Sequence, residues 1–172
     1  MHFGGSYYAL TQNYGSWQDA QDEAVALGAN LVAIGSPKEN AFLTTFIAQE
    51  RCRGCTPNMC NIAWIGYRDT GGGNWGWING EPVTYTNWYP GEPNLSAEDY
   101  VHMVRSSWDD SQARWNNLFD VPSYEWYVTF GPINGVVEVS GAIPEPSTLI
   151  IWSLLGALGT GLGWWRRRKR AV

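Results

Sequence analysis

Basic residues and histidines are scarce in most of this chain. Its 172 residues include 11 lysines and arginines, 16 acidic residues and two histidines. Five of the basic residues stand together at positions 166–170, so the remainder has six basic against sixteen acidic residues, a net charge of −10. A surface with this charge repels phosphate backbones, which argues against nucleic-acid binding.

Cysteine is also scarce, and its three copies lie close together. Cys52, Cys55 and Cys60 occupy the segment CRGCTPNMC, far from His2 and His102 in the sequence. Three thiols with a fourth ligand from elsewhere can hold zinc. In an oxidising compartment we favour a local disulfide that closes a surface insertion and leaves one thiol over.

The residue constellations of common enzymes are missing. His102 stands on a predicted strand without a positioned serine or cysteine nucleophile, which is typical of a structural histidine. The run Gly71–Gly73 has no accompanying lysine and is interpreted as a turn rather than a phosphate-binding loop. We therefore predict that the protein is not an enzyme.

What the chain does contain is a group of oxygen-bearing side chains in short segments. Glu92-Pro93-Asn94 is followed by Glu98 and then by Trp115-Asn116-Asn117. Calcium accepts about six to eight hard oxygen ligands such as carboxylates and amides, whereas zinc takes four ligands dominated by nitrogen and sulfur. These residues predict a calcium site, at which the ion can keep positions open for a sugar diol.

The sequence around this group resembles a C-type lectin domain over residues 7–139. The resemblance is carried by landmarks in a fixed order: Tyr7-Tyr8, Trp17, Ala20, Gly28, Leu31-Val32, Trp64-Ile65-Gly66, Trp75, Trp77, Asn87-Trp88, EPN, Glu98-Asp99, WNN and Gly135-Val136-Val137-Glu138. It implies an α+β fold with two helices, short antiparallel sheets and a long irregular loop region.

The resemblance also implies a binding site. By analogy with the family, the calcium ligands are Glu92, Asn94, Glu98, Asn116 and Asn117. All of these except Asn117 are also expected to bind a mannose-type sugar, and Pro93 is expected to follow a cis peptide bond. Among the aromatic residues, Trp75 and Tyr89 are the candidates for stacking on the sugar, whereas Trp64, Trp77, Trp88 and Trp115 match core positions of the family.

The chain departs from the family pattern at the site and at the disulfides. Asn117 stands where the family uses aspartate, so one formal charge is lost and weaker calcium binding is expected. The stretch from Asn94 to Glu98 is shorter than in mannose-type members, and Leu95 replaces a carboxylate of an auxiliary calcium site. The positions of the family's two disulfides are occupied by Ala24 with Val137 and by Tyr100 with Asp120, and we expect an apolar contact between the first two.

Local patterns predict the regular elements. Ser16 is a suitable N-cap for a helix that ends at Gly28, and Ser36-Pro37-Lys38-Glu39 predicts a capping box at the start of a second helix. Strands are predicted at 7–10, 62–65, 100–104 and 136–139. The Gly-, Asn- and Trp-rich sequence after Ile65 predicts the irregular loop region.

The C-terminal part has three segments that differ in composition. Residues 140–147 form a linker containing Pro144-Glu145-Pro146, residues 148–165 form an apolar segment, and residues 166–172 form a basic tail. The apolar segment is near the lower length limit for a transmembrane helix, and the flanking arginines predict a cytoplasmic end. The arrangement resembles a PEP-CTERM sorting signal of exosortase systems, although a permanent membrane anchor is the alternative.

The sorting signal implies an exported protein. We expect it to be anchored in the inner membrane, cleaved near Pro144-Glu145-Pro146 by a sorting protease, and released to the cell envelope or extracellular matrix. The segment Met1–Gly5 has neither a basic region nor an apolar stretch, so we expect that Met1 is an internal start or that the export leader was left out.

Two functions remain open. The first is an exported, calcium-dependent lectin-like module that binds carbohydrate or exopolysaccharide. The second is a calcium-independent structural or protein-interaction domain of the cell surface or matrix, which the residue type of Asn117 favours. An enzyme of the related formylglycine-generating group is poorly supported, because the chain is short and lacks suitably placed cysteines.

Overall fold

The computed structural model describes residues 1–13, 15–51, 62–104, 113–120 and 133–141. The chain divides into two compact units, Met1–Ser140 and Gly141–Val172. Every helix and strand of the described residues belongs to the first unit. Two segments discussed above lie outside the described residues. They are 52–60, which contains the three cysteines, and 142–172, which contains the predicted transmembrane helix and the basic tail.

Two helices begin and end at residues suited to those positions. Helix α1 is Trp17–Ala26, and the Ser16 side chain and the Asp19 carboxylate cap each other's backbone N–H groups. The chain leaves this helix through Gly28, whose φ of +74° is accessible to glycine at little cost. Both the N-cap and the glycine stop were predicted.

Helix α2 is Pro37–Arg51. The Glu39 backbone N–H donates to the Ser36 hydroxyl at 3.2 Å, as a capping box requires. However, the Glu39 carboxylate accepts a hydrogen bond from the N–H of Gly35 at 2.9 Å. The predicted capping box is therefore correct for the bond accepted by Ser36. The Glu39 carboxylate binds the N–H of Gly35 and not that of the N-cap residue Ser36.

The described strands form one eight-stranded sheet. In chain order they are β1 (His2–Phe3), β2 (Ser6–Leu10), β3 (Asn30–Leu31), β4 (Ile62–Asp69), β5 (Trp75–Trp77), β6 (Tyr100–Val104), β7 (Arg114–Leu118) and β8 (Asn134–Ser140). The main order is β1-β2-β8-β4-β6-β7, with β3 added to β8 and β5 added to β4. Strand β7 thus lies at the end of this order.

Most strand pairs are antiparallel, as predicted, but one central pair is not. Strand β8 runs antiparallel to β2 and parallel to β4, with Ala63 opposite Asn134 and Trp64 opposite Gly135. The sheet is therefore mixed. This parallel pair joins strands β1, β2, β3 and β8 to strands β4, β5, β6 and β7, which lie beside the loop region.

The core consists of two clusters of buried apolar residues. One cluster lies between α1 and the sheet and includes Trp17, Ala24, Leu31, Trp64 and Val137. Ala24 and Val137 are at most 1 % exposed and share this cluster. The structure therefore agrees with the expectation that apolar packing replaces a crosslink at these positions.

The second cluster supports the irregular region and is built around aromatic rings. Tyr67 lies 4.5 to 6.0 Å, between ring centroids, from Trp75, Trp77, Trp88 and Trp115. Trp77 and Trp115 are buried, as predicted for core residues, and Trp88 is half-buried against them. These rings form a fixed base beneath the loops.

The irregular region begins later than predicted. Strand β4 continues to Asp69 and pairs with β5, so the Trp-rich sequence contributes one short strand before the loop starts. From Ile78 to Asp99 the backbone has turns and a single bridge, Trp88 with Trp115.

Within the described part of the chain, no helix has the length and apolar character needed to cross a membrane. The predicted transmembrane segment at 148–165 is outside that part.

Candidate functional site

The loop that carries Glu92-Pro93-Asn94 is fastened to strand β7 by backbone hydrogen bonds. The N–H of Trp115 donates to the carbonyl of Asn87, and the N–H of Tyr89 donates to the carbonyl of Trp115, both at 2.8 Å. The N–H of Glu92 then donates to the carbonyl of Tyr89 at 2.9 Å. The peptide bond between Glu92 and Pro93 is cis, as the family resemblance implied.

The side chains of Glu92 and Asn94 contact each other across the proline. The Asn94 side-chain amide donates to Oε1 of Glu92 at 2.8 Å, and the Asn94 backbone N–H donates to Oε2 at 3.1 Å. The carboxylate and amide therefore form a closed pair on the loop surface. The Oδ1 atom of Asn94 takes no part in this pair.

Asn117 lies beneath the loop on β7 and is fully buried. Its Nδ2 donates to the carbonyls of Leu95 and Glu98 at 3.0 and 3.1 Å. Its Oδ1 accepts the backbone N–H of Asn94 at 3.4 Å. Both ends of the amide are therefore occupied by the backbone of the loop.

Asn116 points away from Asn117. Successive residues of a strand face opposite sides of the sheet, and Asn116 pairs across the strands with His102. Its Nδ2 lies 3.4 Å from Nε2 of His102, which in turn packs edge-on against Trp64 at 5.7 Å. The five predicted ligands thus lie in three places. Glu92, Asn94 and Glu98 form a loop group, Asn117 lies beneath it on β7, and Asn116 is on the other face of β7.

His102 is a buried core residue rather than a reactive one. Its exposure is 0 %, and burial lowers its pKa to about 3. The ring is therefore neutral at physiological pH, in line with the structural role predicted for it.

The two carboxylates of the loop group are close enough to affect each other. Burial raises the pKa of Glu98, and the negative charge of Glu92 raises it further. Burial also raises the pKa of Glu92, against the lowering effect of the hydrogen bond from the Asn94 N–H. Such a pair favours a bound cation or donor groups from a ligand.

A cleft of about 340 Å³ opens between this loop and the turn after β4. The described residues that line it are Asp69, Gly73, Trp75, Pro93, Asn94, Leu95, Ser96 and Glu98. Its walls therefore combine two carboxylates, amide and hydroxyl groups and one indole ring. That mixture suits a polyhydroxylated ligand with an apolar face.

Sequence reasoning missed Asp69 as a residue of this cleft. Its carboxylate accepts the N–H groups of Gly71 and Gly73 at 2.7 and 2.8 Å, and these bonds lower its pKa. Asp-Thr-Gly at the end of a strand is a local signal for such a turn. The sequence could indicate the turn, but it could not indicate that the turn faces Glu98.

The two predicted stacking residues differ in position. Trp75 lines the cleft, but it is half-buried because it packs against Tyr67 and Trp88 at 6.0 and 5.0 Å. Tyr89 is 46 % exposed and is not among the described residues that line the cleft. Trp75 is therefore the aromatic wall of this site, less exposed than expected.

The donor set fits a calcium ion in part. Glu92, Asn94 and Glu98 offer hard oxygens on one loop, and the two carboxylates supply charge. Asn117 lies beneath these groups, and its Oδ1 accepts the Asn94 N–H at 3.4 Å. Among the described residues, no group of three or more histidine, cysteine, aspartate or glutamate side chains is arranged to hold a metal ion.

A family model described as the Lectin C-type domain matches residues 14–120. The chain is 31% identical over 120 residues to C-type lectin domain family 6 member A of Mus musculus, covering 68% of this chain and 52% of that protein. It is 33% identical over 119 residues to ladderlectin of Oncorhynchus mykiss, covering 69% and 58%. The chain thus spans about half the length of these curated relatives.

Solved structures with the same fold include glycan complexes. The C-type lectin domain of murine dendritic cell inhibitory receptor 2 with an N-glycan has a TM-score of 0.63 at 24% identity, covering 81% of this chain and 94% of that one. The cow CD23 domain with GlcNAc2Man3 oligosaccharide has a TM-score of 0.60 at 26% identity, covering 81% and 92%. A calcium-independent type II antifreeze protein has a TM-score of 0.62 at 21% identity, covering 81% and 90%.

Proposed function

Because the chain belongs to the C-type lectin domain family, we propose that it binds carbohydrate in the cleft between the turn at Asp69 and the loop 92–98. The family consists of non-enzymatic binding domains, in line with the predicted absence of catalysis. The observation that carries the proposal is that Asn94 and Glu98 line the cleft with Trp75, while Glu92 is hydrogen-bonded to Asn94 on the same loop. Their oxygens suit sugar hydroxyls, and the indole suits the apolar face of a sugar ring.

Mannose-type sugars are the proposed ligands. The Glu92-Pro93-Asn94 motif supports this class, and the cow CD23 domain was crystallised with a mannose-containing oligosaccharide. Exopolysaccharide is the proposed natural source of such sugars for an exported protein.

Calcium is the proposed cofactor, held by Glu92, Asn94 and Glu98. When bound, it would supply a positive charge that attracts hydroxyl oxygens. Asn116 joins this set only by giving up its contact with His102. With two carboxylates and one amide, the affinity is expected to be weaker than that of a site with a third carboxylate.

We expect Glu92→Gln to weaken binding of both calcium and mannose by about tenfold or more, because it removes one of two formal charges. Calorimetric titration of calcium, followed by a mannose-type sugar, measures both affinities. Glu81→Gln is the matched control, since Glu81 is exposed and belongs neither to the loop 92–98 nor to the cleft lining. Absence of heat with calcium and sugar on the unmodified chain would refute the proposal.

The second candidate function is a calcium-independent structural or protein-interaction domain of the cell surface or matrix. The observation that favours it is the burial of Asn117 in hydrogen bonds to the loop. Binding of matrix material that persists in a chelator would support it over the calcium-dependent function.

Export is proposed from the C-terminal composition. The tail at 140–172 would anchor the chain in the inner membrane until a sorting protease cleaves near Pro144-Glu145-Pro146. Mass spectrometry of the protein recovered from the cell envelope and medium tests this. Recovery with the basic tail at 166–172 intact would indicate a permanent anchor instead.

A further inference from the structure

Asn117 contacts three backbone groups spread along the loop above it. Its amide reaches the N–H of Asn94 and the carbonyls of Leu95 and Glu98. Two carbonyls at one end and an N–H at the other define which end of the amide is oxygen. All of its hydrogen-bonding groups are therefore used, which is what a fully buried amide requires.

An aspartate at this position could not make the same contacts. A carboxylate has no hydrogen to donate, so the carbonyls of Leu95 and Glu98 would each lose the hydrogen bond from this side chain. It would also add a buried negative charge beside Glu92 and Glu98, whose pKa values are already raised by burial. A carboxylate here would need a cation to offset its charge, whereas the amide does not.

Hydrogen bonds within the loop 92–98 also hold it closed. The N–H of Glu98 donates to the carbonyl of Leu95 at 3.2 Å, and Asn94 is bonded to the Glu92 carboxylate. With Asn117 below, the loop is braced from inside and from the strand.

We infer that Asn117 is a positioning residue that closes the loop 92–98 in place of a metal ion, so that the cleft has its binding shape before any cation arrives. Calcium then adds to a loop that is already formed. The importance of this closure for sugar recognition rests on the proposed function, but the closure itself does not.

Hydrogen exchange of the full chain tests the inference without any sugar. The reporting amides are those of Asn94, which donates to Asn117 and Glu92, and of Glu98, which donates to Leu95. In the unmodified chain we expect the same protection, within about twofold, in a chelator and in millimolar calcium. Protection that exists only with calcium would overturn the inference.

Asn117→Asp provides the opposite case. In the chelator we expect the Asn94 and Glu98 amides to exchange about tenfold faster or more, because two hydrogen bonds are lost. Calcium should restore their protection. Equal protection of this variant and the unmodified chain in the chelator would contradict the role given to Asn117.

Asn79→Asp is the control, because it adds the same charge at an exposed position outside the loop 92–98 and the cleft lining. Its loop amides should keep their protection in the chelator. If the Asn117 variant fails to fold, the comparison of the unmodified chain with and without calcium still tests whether the loop is closed without an ion. A protected loop that binds no sugar would refute the proposed function while leaving this inference intact.

Discussion

Gly66 lies where strand β4 passes close to the segment after β3. A β-carbon at this position would be 2.5 Å from the carbonyl oxygen of Leu31 and 3.0 Å from that of Val32. Backbone oxygens cannot move aside as a flexible side chain can, so even one methyl group forces the strands apart. The residue is therefore required by packing rather than by its backbone angles.

We predict that Gly66→Ala lowers the free energy of unfolding by about 1–3 kcal/mol, the usual range for overpacking a core. Chemical denaturation monitored by circular dichroism measures it. Gly76→Ala in β5 is the control, because its β-carbon would meet only the Thr70 methyl group at 3.5 Å. Similar losses in the two variants would show that packing at Gly66 is not the cause.

Residue type alone could indicate some of these roles and not others. The buried tryptophans at 64, 77 and 115 were predicted from the resemblance, and His102 was predicted to be structural. Contacts such as the one between Gly66 and Leu31 join residues far apart in the sequence. No local pattern reports the distance between two such segments.

At the scale of elements, helix α2 is attached to strand β7 through one buried side chain. The indole N–H of Trp115 donates to Oδ1 of Asn40 at 2.9 Å, and Nδ2 of Asn40 donates to the carbonyl of Ala113 at 3.1 Å. Asn40 is 3 % exposed. It therefore fixes the helix to the strand that carries Asn116 and Asn117.

Removing this amide should destabilise the fold strongly. We predict that Asn40→Ala costs about 1–3 kcal/mol, because the buried indole N–H of Trp115 loses its partner and the Ala113 carbonyl keeps only its bond from Asn87. Thermal unfolding followed by calorimetry measures the change. Thr45→Ala on the same helix is the control, since Thr45 is exposed and bonds only within the helix; its effect should stay below about 1 kcal/mol.

Both helices and the strands β2, β4, β6 and β8 were predicted, whereas β1, β3, β5, β7 and the attachments between elements were not. Strand β6 has the predicted bounds, and α1 has the predicted cap. Strand β7 was not predicted as a strand, because its residues read as part of a loop motif. It forms because its backbone pairs with β6 along five residue pairs.

At the scale of the whole molecule, the Tyr8 hydroxyl and two carboxyl groups link three parts of the fold. The single hydrogen of the Tyr8 hydroxyl on β2 is shared between Glu39 on α2, at 2.8 Å, and Glu138 on β8, at 3.3 Å. Burial raises the pKa of Glu138, and the charges of Glu39 and Glu81 raise it further, against hydrogen bonds from Ser6 and Ala33 that lower it. Burial and the bond to Glu39 likewise raise the pKa of Tyr8.

This arrangement predicts a pH dependence of stability. A carboxyl group whose pKa is raised in the folded state contributes its full stabilisation below the ordinary glutamate pKa of about 4.3. That contribution is lost as the pH rises through the raised pKa of the folded state. Between about pH 4.3 and 7, the free energy of unfolding of the unmodified chain should therefore fall relative to that of Glu138→Gln.

Denaturant unfolding at several pH values measures this difference. Raised pKa values at Glu92 and Glu98 act in both proteins and cancel in the comparison. Glu50→Gln, at an exposed position on α2, is the control and should follow the unmodified chain. Parallel curves for Glu138→Gln and the unmodified chain would contradict the predicted role of Glu138.

The sequence by itself determined the α+β class, the two helices and the family, because capping residues, apolar spacing and an ordered set of motifs are local or linear signals. It also determined which side chains could offer oxygens at the site. Only the tertiary structure decided what those oxygens contact. Asn117 meets carbonyls 22 and 19 residues earlier in the chain, and whether an amide is a ligand or a brace depends on which groups the fold brings to it.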